Sequence, residues 1–232
     1  MNTNQGETDE QQTDRFLALV TSALVSTSAS AVPLVAIGDY PLSGTTSADH
    51  PELAGSVLED LLTDFSLSGA GEAISGTIQN RVVRSDLDGT LIFTWRILPD
   101  AGTGDVLAFR LTDFGGFTLD ADWRIDGLGT VAPTTARYLD VANGSVNFLF
   151  DLHEVPVAAS SNFFYLNTNA THYAMTGSFD LLCAESGCLS PSYQTFAPTA
   201  VPAPATLWLL GSGLAGIVTV AKRRKNKNAD RG

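Results

Sequence analysis

The sequence predicts an all-β fold: an antiparallel β-sandwich of jelly-roll-like form, with an open barrel as the alternative. A short N-terminal signal helix and one C-terminal transmembrane helix are expected to flank it. Two observations predict this arrangement. Between residues 32 and 198, short runs of alternating apolar and polar residues are separated by Gly, Asp, Asn and Pro, as in antiparallel sheets. Near each end lies an uncharged apolar segment that has no such alternation.

The charge is unevenly distributed along the 232 residues, which carry a formal net charge of −12. Residues 32 to 200 contain 20 acidic residues and six arginines, a formal charge of −14, whereas the last eleven residues contain six of the 13 basic residues. A surface this acidic repels phosphate backbones, so nucleic acid is excluded as a partner. The apolar content of 44% is enough for a packed domain.

Residues 1–31 are predicted to be a signal peptide. An apolar run from Phe16 to Val25 is too short to span a bilayer, and Ala29 and Ala31 give the small-x-small pattern that signal peptidase recognises, with the cut after Ala31. The start is atypical because acidic residues surround Arg15, and a misassigned start codon would explain this. The alternative is an amphipathic surface helix.

The strongest strand prediction in the chain is a β-hairpin. Thr77 to Arg84 and Thr90 to Ile97 are alternating runs joined by a turn that contains Asp88 and Gly89. Residues 52 to 65 fit either a helix or a strand, since their apolar residues suit both periods. A turn is predicted at residues 99–104. Further strands are predicted at Val106 to Leu111, Asp122 to Ile125, Ser145 to Asp151, Asn162 to Asn167 and Ala174 to Leu182.

Two cysteines, Cys183 and Cys188, are the only ones in the chain. Disulfides persist in exported proteins, so a bridge that closes this short loop is predicted. The pair does not have the Cys-x-x-Cys spacing of redox motifs.

Catalytic and metal-binding patterns are weak. The three histidines stand apart, and no Gly-x-Ser-x-Gly motif or zinc-ligand spacing occurs. Asp86 and Asp88 resemble the start of a calcium loop, but the third acid and the distal Glu are missing, and Asp-Gly is first of all a turn. Asp120, Asp122 and Asp126 form either a polar anchor or a cation site. No cofactor is expected. Aromatic residues that could stack on sugars are Trp95, Trp123, Tyr138, Phe163, Phe164 and Tyr165.

The C-terminal region has three consecutive parts. Residues 201–204 read Val201-Pro202-Ala203-Pro204, and residues 205–221 form a 17-residue uncharged span that is just long enough to cross a bilayer. The basic cluster 222–225 includes Arg223 and Arg224, and the positive-inside rule keeps it and the tail 226–232 in the cytoplasm. The acidic bulk of the chain is therefore expected on the outer side.

This tripartite end resembles the PEP-CTERM sorting signal, over residues 199–225. The resemblance implies that the chain enters the membrane by a signal peptide and is then processed by exosortase near Pro202-Ala203-Pro204. Ala203 stands where the family has Glu, and an anchored, uncleaved protein is the expectation if this blocks processing. Segments within residues 51–196 are similar to an uncharacterised β-rich domain that recurs with this tail, which favours a strand at 52–65.

The function expected from these features is that of a non-enzymatic surface or matrix protein. The precursor would be anchored in the inner membrane and then released to the cell surface or the extracellular matrix. Its expected partners are signal peptidase, exosortase, the membrane and, further, extracellular polysaccharide. Two alternatives stay open: a carbohydrate-binding module, which needs an exposed Trp, and a secreted hydrolase, which needs a carboxylate pair.

Overall fold

The chain folds into two antiparallel sheets, as seen in a computed structural model that describes residues 31–69, 71–183 and 187–200. The predicted signal helix and transmembrane helix lie outside these ranges. Within them, the one helical element is a 3-10 turn at Pro51–Leu53, and no helix is long and apolar enough to cross a membrane. The strands are β1 Val32–Pro33, β2 Gly38–Pro41, β3 Gly55–Gly69, β4 Glu72–Ser85, β5 Leu91–Thr103, β6 Asp105–Thr112, β7 Leu119–Trp123, β8 Thr135–Asp140, β9 Ser145–Leu149, β10 Val155–Pro156, β11 Phe164–Thr168, β12 His172–Cys183 and β13 Tyr193–Thr199.

Sheet I has the strand order β1-β7-β11-β5-β4-β3, and sheet II has the order β13-β12-β6-β9-β8-β2, with β10 paired to β6. The inner faces of the two sheets share one aromatic core. The ring centroids of Trp95 on β5 and Phe109 on β6 are 5.7 Å apart, and those of Phe109 and Phe164 on β11 are 5.1 Å apart. The all-β class and the face-to-face packing of antiparallel sheets are thus as the sequence predicts. The jelly-roll connectivity stays a prediction.

The core contains one well-satisfied polar link. The Trp95 indole Nε1 donates a hydrogen bond to Oγ1 of Thr195, at 2.9 Å, and both side chains are fully buried. A buried indole needs such a partner, because an unpaired N–H in an apolar core is costly. The bond ties β5 of sheet I to β13 of sheet II.

The predicted hairpin is confirmed as β4 and β5, in which Arg84 pairs with Leu91 and Asn80 with Trp95. The ambiguous segment 52–65 forms the 3-10 turn and then most of β3, so the strand interpretation is correct. β3 pairs with β4 over almost its whole length.

Two local predictions are wrong. The turn expected at residues 99–104 is instead a continuation of β5 to Thr103, because a bulge at Asp100 of β5 lets the strand pair with β4 again beyond Pro99. The strand expected at Asp122 to Ile125 starts and ends earlier, as β7. The chain turns after Arg124, so β7 does not extend to Ile125.

The outer face of sheet I is partly covered by residues 43–54. This segment buries Leu53 against Ile92 and Tyr165 in a second, small apolar cluster. Its backbone is held by Asp122, whose Oδ1 accepts a hydrogen bond from the Gly44 N–H at 2.8 Å. As a result, the first five residues of β5 and most of β11 are buried on both faces, which suits their largely apolar sequence.

Candidate functional site

The predicted sorting residues lie outside the described part of the chain. This holds for Val201, Pro202, Ala203, Pro204, Arg223 and Arg224, and also for Ala29 of the predicted cleavage site. Ala31 is described and buried, beside the first strand. The last strand, β13, ends at Thr199, two positions before the predicted motif starts.

Cys183 and Cys188 lie at disulfide-bonding distance, with their Cα atoms 5.4 Å apart, in keeping with the predicted bridge. Both are buried in the main core. The carboxylate of Glu72 lies within 4.8 Å of both sulfurs, the one grouping of three potential metal ligands that the described residues provide. Bridged sulfurs have no thiolate to donate, so this grouping holds no metal while the disulfide persists.

The calcium candidates Asp86 and Asp88 lie in the turn between β4 and β5. Oδ1 of Asp88 accepts hydrogen bonds from the backbone N–H of Thr90, at 3.0 Å, and from its hydroxyl, at 2.7 Å. These bonds hold the pKa of Asp88 below its usual value. Gly89 has a φ of +75°, which the turn requires. The Asp88 carboxylate thus completes a turn within the hairpin.

The three histidines are not brought together. Nδ1 of His50 lies 2.6 Å from Oε1 of Glu52 in the segment over sheet I. His153 lines a cleft together with Trp123 and Glu154, and Nδ1 of His172 lies 3.0 Å from the hydroxyl of Thr171 at the start of β12. Each therefore has a separate local setting, and they do not form a joint catalytic arrangement.

Two carboxylates of β7 face the covered side of sheet I. Asp122 is fully buried, and its Oδ1 also accepts a hydrogen bond from the Trp123 N–H at 2.9 Å. Burial raises the pKa of both Asp120 and Asp122 above the usual value. Within the described residues, Oδ2 of Asp122 and the hydroxyl of Tyr165 have no hydrogen-bond partner. The polar-anchor interpretation of Asp122 therefore fits, since the carboxylate holds segment 43–54 in place.

The predicted sugar-stacking aromatics are mostly inaccessible. Trp123 is half-buried. The other five are buried: Trp95, Tyr138, Phe163, Phe164 and Tyr165. The Trp123 ring borders a cleft of about 640 Å³ that also contacts Thr130, His153 and Glu154. Gly44 lies so close to this ring that a Cβ there would come within 2.5 Å of it. Part of the indole is thus covered by the backbone, and the remainder borders the cleft.

Sequence analysis did not identify a cluster of arginines on the outer face of sheet I. The guanidinium carbon of Arg81 lies 4.7 Å from the ring centroid of Phe163, and that of Arg96 lies 5.8 Å from it. Arg124 and Phe163 line the same depression, of about 220 Å³. Alternation could have placed Arg81 and Arg96 on one face of the predicted hairpin, but Phe163 and Arg124 come from distant parts of the sequence.

Comparison with known protein families gives a match at the C-terminal end of the chain. Residues 200–225 match the family model described as the PEP-CTERM protein-sorting motif. No curated protein and no solved structure matches the chain. The match covers the residues on which the sequence analysis based its resemblance, and it marks the chain as an exported, exosortase-sorted protein with a membrane-anchored precursor.

Proposed function

We propose that this PEP-CTERM protein, an exosortase substrate, acts without catalysis as a component of the cell surface or extracellular matrix and associates there with exopolysaccharide. The observation that carries the proposal is the sorting motif at residues 200–225. The sandwich before it would be the part that remains outside the cell after processing.

The chemistry of the sandwich supports a role outside the cell. Residues 32 to 200 carry a formal charge of −14, which favours solubility and keeps the copies of the protein apart in a hydrated matrix. The cysteine pair at disulfide distance suits an oxidising compartment. The separate settings of the three histidines support a non-catalytic role.

The test is mass spectrometry of the protein purified from its native host. We expect a mature N-terminus at Val32 and a C-terminus close to Pro202-Ala203-Pro204, with the protein recovered from the surface or exopolysaccharide fraction. Replacing Arg223 and Arg224 together by Gln should leave uncut, membrane-bound precursor. The matched control replaces Lys227 and Arg231, which removes the same charge outside the cluster. Uncut wild-type protein in the soluble cell interior would refute the proposal.

A second candidate function is a carbohydrate-binding module, favoured by the cleft beside Trp123. The cleft has the volume of a small-ligand site, and it combines an aromatic edge with Thr130, His153 and Glu154. This candidate predicts that neutral oligosaccharides bind and that Trp123→Ala abolishes the binding. Phe117→Ala, a change at another half-buried aromatic ring that does not line the cleft, is the control. Equal binding by wild type and Trp123→Ala would eliminate it.

A further inference from the structure

Arginine side chains cluster on one part of the outer face of sheet I, in a protein that is acidic overall. Three of the six arginines in residues 32 to 200, namely Arg81, Arg96 and Arg124, surround the ring of Phe163. Arg81 on β4 and Arg96 on β5 are neighbours in the hairpin, since Arg81 pairs with Thr94 and Arg96 with Gln79. We call Arg81, Arg96, Arg124 and Phe163 the arginine face.

Of the three guanidinium groups, only that of Arg124 has a hydrogen-bond acceptor among the described residues for each of its nitrogens. Arg124 donates from Nε and Nη2 to the carboxylate of Asp126, at 2.7 and 2.9 Å, and from Nη1 to the carbonyl of Leu53, at 3.2 Å. All three of its nitrogens are therefore engaged. Arg124 forms a fixed, neutralised wall of the depression.

The other two guanidinium groups have unused donor capacity. Nη2 of Arg81 lies 2.9 Å from Oδ2 of Asp60, while its Nε is buried and has no partner within the described residues. Arg96 donates from Nη2 to the hydroxyl of Ser160, at 2.7 Å, and from Nε to the carbonyl of Ser161, at 3.3 Å. Among the described carboxylates, none forms an ion pair with Arg96.

The electrostatic setting of Arg96 is unfavourable without an anion. Burial and the positive charge of Arg81 lower the pKa of Arg96 below its usual value. Two like charges that share one aromatic ring repel each other, and the ring's negative π-face compensates only in part. A carboxylate placed between Arg81 and Arg96 would offset this repulsion and could accept hydrogen bonds from the Arg96 guanidinium group.

The surface beside the arginines has room for a ligand larger than a simple ion. A depression of about 220 Å³ lies on the Arg81 side, and another of about 610 Å³ lies on the Arg96 side. The lining of the second includes the hydroxyl-bearing residues Thr77, Thr130 and Ser160 and one carboxylate, that of Asp100. In the first, the carboxylate of Asp126 is neutralised by Arg124. The combined size of the two depressions is in the range of small-ligand sites, and hydroxyl groups next to a charged fork suit a sugar that carries an acid.

We propose that the arginine face binds the carboxylate of a uronic-acid unit in an anionic polysaccharide, with Arg96 as the principal ligand and Arg81 as the second. This deepens the proposed function, on which it rests, because it names the class of exopolysaccharide. The neighbouring sugar rings lie in the two depressions. The planar guanidinium fork matches a carboxylate in two-point geometry, which gives the site its preference for an acidic sugar.

The experiment is calorimetric titration of the mature protein with a uronic-acid hexamer, and with the same hexamer after its carboxyl groups have been reduced to alcohols. We expect binding of the acidic hexamer and none of the reduced one. Arg96→Gln should weaken binding at least tenfold. Arg137→Gln removes the same charge from an exposed ion pair with Asp39 on sheet II, and should change affinity less than twofold.

A third variant separates the planar guanidinium geometry from the positive charge. Arg96→Lys keeps the charge but lacks the fork, and it should bind several-fold more weakly than wild type. Equal affinity of wild type and Arg96→Gln overturns the proposal, as does binding of the reduced hexamer. Tighter binding of a sulfated neutral hexamer overturns the assignment to a carboxylate. If the protein associates with exopolysaccharide in cells but does not bind the acidic hexamer, the arginine face is refuted and the proposed function stands. If the protein binds the hexamer but is never exported, the proposed function is refuted and the binding site stands.

Discussion

Replacing Asp122 tests how segment 43–54 is held against sheet I. Its side chain is fully buried, and Oδ1 accepts hydrogen bonds from the N–H groups of Gly44 and Trp123 at 2.8 and 2.9 Å. Asp122→Ala removes the acceptor of both. A buried donor left unpaired costs about 1–3 kcal/mol, and water that enters the gap recovers part of this. We expect Asp122→Ala to lower the free energy of unfolding by about 2–4 kcal/mol.

Asp122→Asn separates the hydrogen bonds from the charge. The amide carbonyl can accept the same two backbone hydrogen bonds, so this variant should keep segment 43–54 in place. It should lie within about 1 kcal/mol of wild type at about pH 3, below the usual pKa of Asp, where the wild-type carboxyl group is largely protonated in both folded and unfolded protein. Urea unfolding of the mature protein measures all three free energies. Asp122→Ala as stable as wild type would refute the anchoring role.

The pH dependence gives an independent check. Burial raises the pKa of Asp122 in the folded protein above its unfolded value, so the folded state binds the proton more tightly. The contribution of Asp122 to stability therefore falls as pH rises from the unfolded pKa through the folded pKa. Asp122→Asn does not titrate. The stability of Asp122→Asn relative to wild type should therefore increase from about pH 4 towards neutrality. A difference that stays constant over this range would show that burial does not perturb the carboxyl group.

Three further changes test the packing of the sandwich. Gly44→Ala should lower the melting temperature more than Gly116→Ala. Both glycines have a positive φ (+78° and +84°), but only the methyl group added at Gly44 would meet a ring, that of Trp123, at 2.5 Å. Equal losses in melting temperature would contradict this. Changing Cys183 and Cys188 together to Ala should lower the free energy of unfolding by about 2 kcal/mol, the loss expected for so short a loop, and wild type insensitive to reduction would contradict this. Thr195→Val should cost about 1–3 kcal/mol in urea unfolding, because it leaves a buried indole N–H unpaired; no loss would mean that the indole finds another acceptor.

Strands were predictable where local sequence alone determines them. The β4–β5 hairpin combines alternating residues with an Asp-Gly turn, and both signals are short-range. The end of β5 was not predictable, because residues 99–104 have turn-forming composition and yet β5 stays paired with β4 as far as Thr103, with a bulge at Asp100. The end of β7 likewise depends on its contact with segment 43–54. Pairing partners, and not local propensity, determine such boundaries.

The sorting signal could be predicted from the sequence and the arginine face could not, for a physical reason. A sorting signal is recognised as a linear order of motif, apolar span and charge, so residues 201–225 could be identified without a fold. The arginine face combines Arg81 and Arg96 of one hairpin with Arg124 and Phe163 from two other strand ends. Alternation predicts that Arg81 and Arg96 share a face. Only the strand order of sheet I places Phe163 between them and Arg124.

The opposite signs of the local and the overall charge lead to a final prediction, on salt dependence. The −14 charge of residues 32 to 200 is spread over the whole domain and repels an acidic polymer at long range. The contact of a carboxylate with Arg96 acts at hydrogen-bond distance. Salt screens these two effects over different ranges, because the Debye length is about 30 Å at 0.01 M, about 8 Å at 0.15 M and about 3 Å at 1 M.

Affinity for the uronic-acid hexamer should therefore rise between about 0.01 M and 0.15 M salt, where the long-range repulsion is screened first, and fall towards 1 M, where the contact itself weakens. Arg96→Gln should lose the fall at high salt and keep the rise, since it removes the contact but not the surrounding acids. Arg137→Gln should follow the wild-type curve. Titrations at four salt concentrations measure this. If affinity instead decreases steadily from the lowest salt concentration upward, the attraction of the arginine face exceeds the repulsion by the acidic surface at all distances. That result would refute the long-range repulsion inferred from the net charge.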